Sequence, residues 1–350
     1  MKTFTVNEND AGQRLDKYLS KCTEGMPKSL LYKYIRKKRV KVNGARAHEG
    51  DILSVGDTVE LWIPDEFFRD KAGTYDAASL ARVKVKPEVI YEDENILLCD
   101  KRPGVLVHLG DEGDKNRAEG SERETLIYAL TAYLAAKGEY VPENERSFAP
   151  ALCNRIDRNT GGIVILAKNA SALRQMNEAI RENRVTKRYL CAVHGKLSGE
   201  ATCKAWHSKD YRTNTVRITA ERVPGSKEIV TRVRALQYEP EKDLTLCEVG
   251  LVTGRTHQIR AHLAFLGHPL LGEGKYAKNA EDRKMGYSSQ ALYSAAVSFD
   301  FPEAGDGADL TGLNGRIFRA DPANIAFLAL FPGFRADTWP GKQPGSRAEM

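Results

Sequence analysis

Asn154-Arg155-Ile156-Asp157-Arg158-Asn159-Thr160-Gly161-Gly162-Ile163-Val164-Ile165-Leu166-Ala167-Lys168 is the stretch on which the reading of this chain turns. An acid sits between two arginines, paired glycines follow, and an apolar, β-branched run comes next. That is the pattern of a turn leading into a buried strand. A carboxylate at the mouth of such a strand is held rigidly and can still face a cleft. Taken alone, Arg155-Ile156-Asp157-Arg158 is most simply a surface loop in which Asp157 pairs with Arg155 or Arg158. The rest of the chain weighs on that choice.

Downstream, Leu173, Met176 and Ile180 form an apolar helical stripe within residues 171–183, read as core. Lys187-Arg188-Tyr189-Leu190-Cys191-Ala192-Val193-His194-Gly195 reads as a strand. Residues 215–252 alternate as antiparallel strands with Gly and Pro turns. In Thr253-Gly254-Arg255-Thr256-His257-Gln258-Ile259-Arg260-Ala261-His262-Leu263, Thr256 can cap a helix that turns Ile259, Leu263 and Leu266 inward. Gly267 and Pro269 end that helix, and Arg255 stands at its start. Asp321-Pro322 opens a last helical segment through Phe327 and Leu330. The Trp339–Met350 tail is rich in Pro and Gly and is expected to be disordered.

Upstream, residues 89–108 give two strands around an acidic turn, then the Lys101-Arg102-Pro103-Gly104 turn and a third strand. Residues 109–123 are charged and Gly-rich, as a mobile loop would be. Leu126, Ile127, Leu130 and Leu134 recur at helical spacing and end near Gly138. Residues 64–86 read as a linker, with strand character at Ala81-Arg82-Val83-Lys84-Val85.

Residues 12–62 form a separate small module. A short amphipathic helix starts at Arg14-Leu15-Asp16. Ser29 is a candidate N-cap of a second helix carrying Leu30, Leu31, Tyr34 and Ile35. Its cations are Lys28, Lys33, Arg36, Lys37, Lys38, Arg39 and, just beyond, Lys41, and no acid occurs from Lys28 to Arg46. One-signed charge beside Tyr32 and Tyr34 is the footprint of phosphate-backbone contact, although a solvated helix face has the same composition. Val40-Lys41-Val42-Asn43-Gly44 then signals a hairpin, and residues 58–62 a closing strand.

At 350 residues, 41% hydrophobic and 29% charged, the chain suits a soluble two-domain protein with a net charge of +6. It has no run of the ~20 apolar residues a membrane helix needs. No secretory signal opens the chain, so a cytoplasmic location is expected. The six scattered cysteines suit reduced thiols. Cys203 and His207 have the spacing of half a metal site with no second half, so no metal is expected. Phosphate-loop and dinucleotide fingerprints, H-E-x-x-H and G-x-S-x-G are all absent.

What remains is a carboxylate, several arginines and a tyrosine beside a basic module. N-R-I-D-R-N-T-G-G-I-V-I-L-A-K, K-R-Y-L-C-A-V-H-G, G-R-T-H-Q-I-R-A-H-L, G-H-P-L-L-G and K-R-P-G-V-L-V-H resemble, in order, the motifs of the RluA-type pseudouridine synthases. The N-terminal module resembles the S4 RNA-binding domain through Arg14, Leu15, Asp16, Leu19, Ser29, Arg36, Val40, Val42, Asn43 and Gly44. The resemblance implies an α+β fold: a largely antiparallel mixed sheet flanked by helices, plus a small α/β S4-like domain. The expected division is 1–63 for that domain, 64–86 linker, 87–336 catalytic domain and 337–350 tail.

The resemblance also implies an isomerase that flips a uridine out of structured RNA. The base detaches, rotates and reattaches through carbon, with no cofactor. Asp157 would be the nucleophile and Arg255 its ion-pair partner. Arg155 would fill the place of the displaced base, and Tyr189 would stack on it. Large-subunit (23S) ribosomal RNA is the first expectation for the substrate of this monomer. Transfer RNA and a non-catalytic ribosome-assembly role are the alternatives. Three departures stand out: the family has His at Asn154, Ser at Gly161, and L-H-A where this chain has Leu292-Tyr293-Ser294.

Overall fold

The computed structural model describes residues 1–339 apart from 24, 69–74, 76, 84–85, 109–123, 211–214, 304–307 and 337–338. The N-terminal module begins with strand β1 (Lys2–Thr5), helix α1 (Leu15–Cys22) and helix α2 (Lys28–Arg36). Strands β2 (Val40–Val42), β3 (Ala45–Arg46) and β4 (Thr58–Leu61) follow, and the sheet order is β1-β4-β2-β3. Leu15, Tyr18 and Leu19 of α1 meet Leu31 and Ile35 of α2 over Val40, Val59 and Leu61. Asn43 (φ +51) and Gly44 (φ +74) take the left-handed conformations that an Asn-Gly hairpin turn requires. Ser29 is not the cap of α2: Pro27 holds that position and Ser29 lies inside the first turn. Proline suits the site because its fixed φ precedes the helix and the missing N–H costs nothing there.

After a short helix α3 (Ala77–Leu80), the larger domain contains β5 (Glu88–Glu92), β6 (Ile96–Lys101), α4 (Leu126–Ala136), β7 (Ala151–Leu152) and β8 (Gly161–Ala167). Helix α5 (Ala170–Arg181) leads to β9 (Val185–His194), β10 (Glu200–Asp210), β11 (Thr215–Thr219), β12 (Lys227–Glu239) and β13 (Leu244–Leu251). The chain closes with α6 (Gln258–Phe265), α7 (Ala280–Lys284), β14 (Leu292–Phe299) and β15 (Ile317–Arg319). Among the described residues these strands form one eleven-stranded sheet with the path β11-β10-β12-β13-β9-β14-β8-β6-β5. β7 also pairs with β8, and β15 with β14. Among the described strand pairs of this sheet, only β14–β8 is parallel.

The Gly161–Ala167 run becomes an interior strand, β8, with both of its faces covered. Ile163, Ile165 and Ala167 pack with Met176 of α5 on one side. Val164 and Leu166 pack with α4 and with Ile259 and Leu263 of α6 on the other. Asn169 caps α5, its side chain accepting from Ala172 N–H.

Two of the family departures meet in this strand. Gly161 and Tyr293 are partners across β8 and β14. A Cβ on Gly161 would lie 2.3 Å from the Tyr293 ring, whose hydroxyl donates to Asp100 at 2.7 Å. The absent side chain at 161 therefore makes the room that the tyrosine occupies. Gly162, at φ +114, would place a Cβ 2.3 Å from the Ser294 carbonyl oxygen. A ring can shift and a paired backbone cannot. Gly161→Ala is therefore expected to cost about 1–3 kcal/mol in chemical denaturation, and Gly162→Ala more.

The structure corrects several expectations. Val105-Leu106-Val107 forms no third strand; it makes a single bridge, Leu106 to Thr125. Ala81 and Arg82 lie in a turn, and Lys84 and Val85 fall outside the described residues, as does the 109–123 loop. The segment after Asp321 is two short 3-10 turns, Pro322–Asn324 and Ala326–Leu330. The linker is partly packed: Phe68 joins the N-terminal core, and Tyr75 lies 5.0 Å from the Tyr128 ring. Trp339 is not part of a loose tail. It is buried, its indole N–H donates to Glu248, and its carbonyl accepts from Arg319. A large aromatic with one polar edge is anchored when a half-buried carboxylate meets that edge. No described helix is long and apolar enough to cross a membrane.

The two domains touch through short polar contacts. Buried Asp10 accepts from the Ser147 backbone N–H and hydroxyl, at 3.1 and 2.6 Å. Gln13 donates to Ser147, and Asn9 meets Glu145 and the Ala170 N–H.

Candidate active site

Asp157 sits in the loop that delivers the chain into β8. Its carbonyl accepts from Thr160 N–H, closing a turn. Three further contacts fix the loop. Asn154 accepts from Ile165 N–H at 2.7 Å and donates to the Ile163 carbonyl. Ile156 is buried against the core that includes Tyr189 and Ile259. Buried Lys101 donates to the carbonyls of Arg102, Val105 and Arg158 at 2.8–3.1 Å. Burial pushes the Lys101 ammonium down to about 7, opposed by the charge of Asp157. A lysine fully spent on three carbonyls staples the Lys101-Arg102-Pro103-Gly104 turn to the aspartate loop.

Arg260, on the first turn of α6, supplies the partner of Asp157. Its Nη1 donates to Oδ2 at 2.9 Å. Its Nε and Nη2 grip Glu273, fully buried, at 2.7 and 2.9 Å. Burial alone would lower the guanidinium pKa, but the hydrogen bonds to Glu273 and the charge of Asp157 outweigh it and the net shift is upward. Burial alone would likewise raise Glu273, and Arg260 carries it below the usual carboxylate range.

The pairing with Asp157 expected of Arg255 is thus made by Arg260. Arg255 lines the same cleft. It belongs to the loop before α6, where its backbone N–H donates to Gln258. The sequence signal for Arg260 was its place in G-R-T-H-Q-I-R. Arg260 is the third residue of α6, and that first turn brings the second arginine of the motif back toward the loop. Thr256 does not cap α6; His257 does so positionally, with φ +52. Leu266 is 40% exposed rather than turned inward, because α6 ends at Phe265.

His257 stands against the other oxygen, with Nε2 3.8 Å from Oδ1 of Asp157, while its Nδ1 meets the Tyr276 hydroxyl at 2.7 Å. A non-glycine residue held in the left-handed region stores strain, a feature that concentrates at functional sites. Burial pushes the imidazole down to about 4, although Asp157 pulls the other way. A histidine depressed in the folded state binds its proton more weakly than in the unfolded chain. Stability from this source is therefore present above about pH 6.5 and is lost as pH falls toward 4. His257→Asn, which tolerates the same backbone, should remove roughly 2–3 kcal/mol of acid sensitivity between pH 7 and 4 in denaturation titrations.

Tyr189, on β9, is buried beside Ile156 and lines the cleft. Burial pushes its phenol up to about 12, so it is protonated and neutral at physiological pH. Arg155 is exposed at the cleft wall. Arg158, directly after Asp157, donates to the Gly104 carbonyl and also lines the cleft. The cleft measures about 760 Å³, and Asp157 is the single carboxylate among its described lining residues. Lys209, Arg255 and Lys275 add positive charge around it.

His262 and His207, the other histidines of interest, serve the scaffold. His262 Nδ1 meets the Thr231 hydroxyl, and His207 meets the Thr256 carbonyl.

On the N-terminal module, Lys28, Lys33, Arg36, Lys37, Lys38 and Arg39 are exposed and Lys41 is half-buried. Arg39 lies 5.8 Å from the Tyr34 ring and Lys41 5.1 Å from the Trp62 ring. None of these cations is ion-paired with a described residue. A field of one sign is therefore open to an anionic partner.

Comparison with known proteins agrees with this architecture. The profile of the RNA pseudouridylate synthase family matches residues 95–265, and that of the S4 domain residues 13–59. The chain is 31% identical over 311 residues to the ribosomal large subunit pseudouridine synthase C of Pasteurella multocida, covering 87% of this chain and 88% of the relative. The enzyme of the same name from Escherichia coli is 31% identical, with 87% and 91% covered. Among solved structures, the human RNA pseudouridylate synthase domain containing 4 superposes with a TM-score of 0.51 at 18% identity. That alignment covers 73% of this chain and 95% of that one, and it supports the fold alone. The chain belongs to the RNA pseudouridine synthase family, an isomerase with an S4 domain at its N-terminal end.

Proposed function

We propose that this protein isomerises uridine to pseudouridine in large-subunit (23S) ribosomal RNA, in the cytoplasm, with Asp157 as the nucleophile. The observation that carries the reading is the setting of Asp157. It is the single carboxylate among the described lining residues of a cleft whose other charged side chains are cations, gripped by an arginine whose other donors are committed to Glu273. A carboxylate so held is paired with a fixed cation and aimed into the cleft. The carboxylate attacks the sugar or base of a flipped uridine and the C1′–N1 bond breaks; the base turns, C5 bonds to C1′ as the carboxylate is released, the C5 hydrogen leaves as a proton and N1 takes one up. Tyr189, neutral and apolar-faced, suits stacking on the flipped base, worth ~1–3 kcal/mol. Arg155, exposed beside Asp157, suits the gap left in the RNA. The ribosomal substrate is supported by the names of the Pasteurella and Escherichia relatives.

The test is tritium release from a 23S rRNA transcript labelled at uridine C5. Stoichiometric release at one or a few positions is expected; release only from transfer RNA would overturn the substrate. The basic face of the S4 module has its own test. Lys37→Ala with Arg39→Ala should weaken RNA binding and reduce the slope of log affinity against log salt by roughly 1–2. An unchanged affinity and slope would remove this face from the RNA interface.

A further inference from the structure

The cleft that holds Asp157 and Tyr189 has a further cation in its lining. Lys187 lies two residues before Tyr189 on β9, so strand alternation puts both on the same face, about 7 Å apart along the chain. Lys187 lines the same cleft, as do Cys153, Ile180, Asn183 and Val185, and it lies near the Cys153 thiol. No described residue accepts a hydrogen bond from its ammonium or pairs with it. Lys101, Lys168 and Arg260, other enclosed cations of this domain, have hydrogen-bonded partners, and buried Arg188 feels the charge of Glu248. An ammonium held half-buried among Cys153, Ile180 and Val185 without a counter-charge is costly, and an arriving anion repays that cost. Within an RNA substrate the uracil base and the ribose hydroxyls are neutral, and the backbone phosphodiester is the standing anion.

We propose that Lys187 forms a phosphodiester subsite that takes a backbone phosphate flanking the flipped uridine, holding the strand while Tyr189 takes the base. This rests on the proposed reading of Asp157 as the site of uridine isomerisation. Burial lowers the Lys187 pKa, as expected of a group waiting for its counter-ion.

The experiment separates the two claims by reading binding without chemistry. In an Asp157→Asn background, a 23S rRNA transcript ethylated at random phosphates is selected for binding, with and without Lys187→Met, a change that keeps side-chain length. The expected result is one ethylated phosphate excluded from the Lys187 complex and accepted by Lys187→Met. A salt slope smaller by about 1, affinity lower by roughly tenfold, and recovery with Lys187→Arg should accompany it. In the active protein, Lys187→Met should raise KM by a similar factor and leave kcat within about twofold. Identical ethylation patterns, or a loss confined to kcat as for stabilisation of the detached base, would overturn the subsite. Failure of the unsubstituted protein to release tritium, with the ethylation difference present, would overturn the isomerase reading alone. No RNA binding in low salt would overturn both.

Discussion

Asp157→Asn is expected to abolish uridine isomerisation, by on the order of 10⁴-fold or more, while the protein folds and binds RNA as before. The amide has the shape of the carboxylate but neither its charge nor its nucleophilicity. The fold should tolerate it because Asp157 is not needed to satisfy its neighbours. Arg260 keeps both hydrogen bonds to Glu273, the Asn154 amide still ties the loop to β8, and Lys101 still binds the Arg158 carbonyl. Binding should survive for the same reason: the cations of the cleft and of the S4 module are untouched. The check is tritium release alongside filter binding on the same preparation.

Arg260 should behave differently, because it is structural and functional at once. Arg260→Met strands Glu273, 0% exposed, without its counter-charge. Breaking one side of a buried pair costs about 3–5 kcal/mol. The Lys275 and Tyr276 backbone N–H groups bonded to Glu273 would then hold the carboxylate alone. Arg260→Lys keeps a charge but cannot serve two carboxylates with a planar fork, so it should fold better and still lose most activity. Arg260→Met combined with Glu273→Met should recover stability in urea titrations and recover no activity. If the double substitution restored turnover, Arg260 would be scaffold only.

Much of this site was legible in the chain. The Asp157 loop and its strand stand next to each other in sequence, and the β-branched run after Gly162 admits few readings. The basic helix was plain from its one-signed charge. The identity of the arginine on Asp157 was not plain. Arg255 and Arg260 lie five residues apart in one motif, and only the start of α6 at Gln258 decides which returns to the loop. That start depends on His257 adopting a left-handed conformation, which composition does not signal. Glu273 was missed because it lies beyond the helix, in a loop whose single buried acid looks like any other. Trp339 was misread because its neighbours in sequence are Pro and Gly, whereas its partner, Glu248, is distant in the chain. The Gly161 and Tyr293 departures looked independent until the parallel pairing of β8 and β14 placed one against the other.

Mapping carbodiimide-protected pseudouridines in 23S ribosomal RNA tests the central claim most directly. The comparison is between a strain lacking this protein, the same strain given it back, and the strain given Asp157→Asn. One or a few positions should be unmodified in the deletion, restored by the protein and still unmodified with Asp157→Asn. Restoration by Asp157→Asn would contradict the account at its centre.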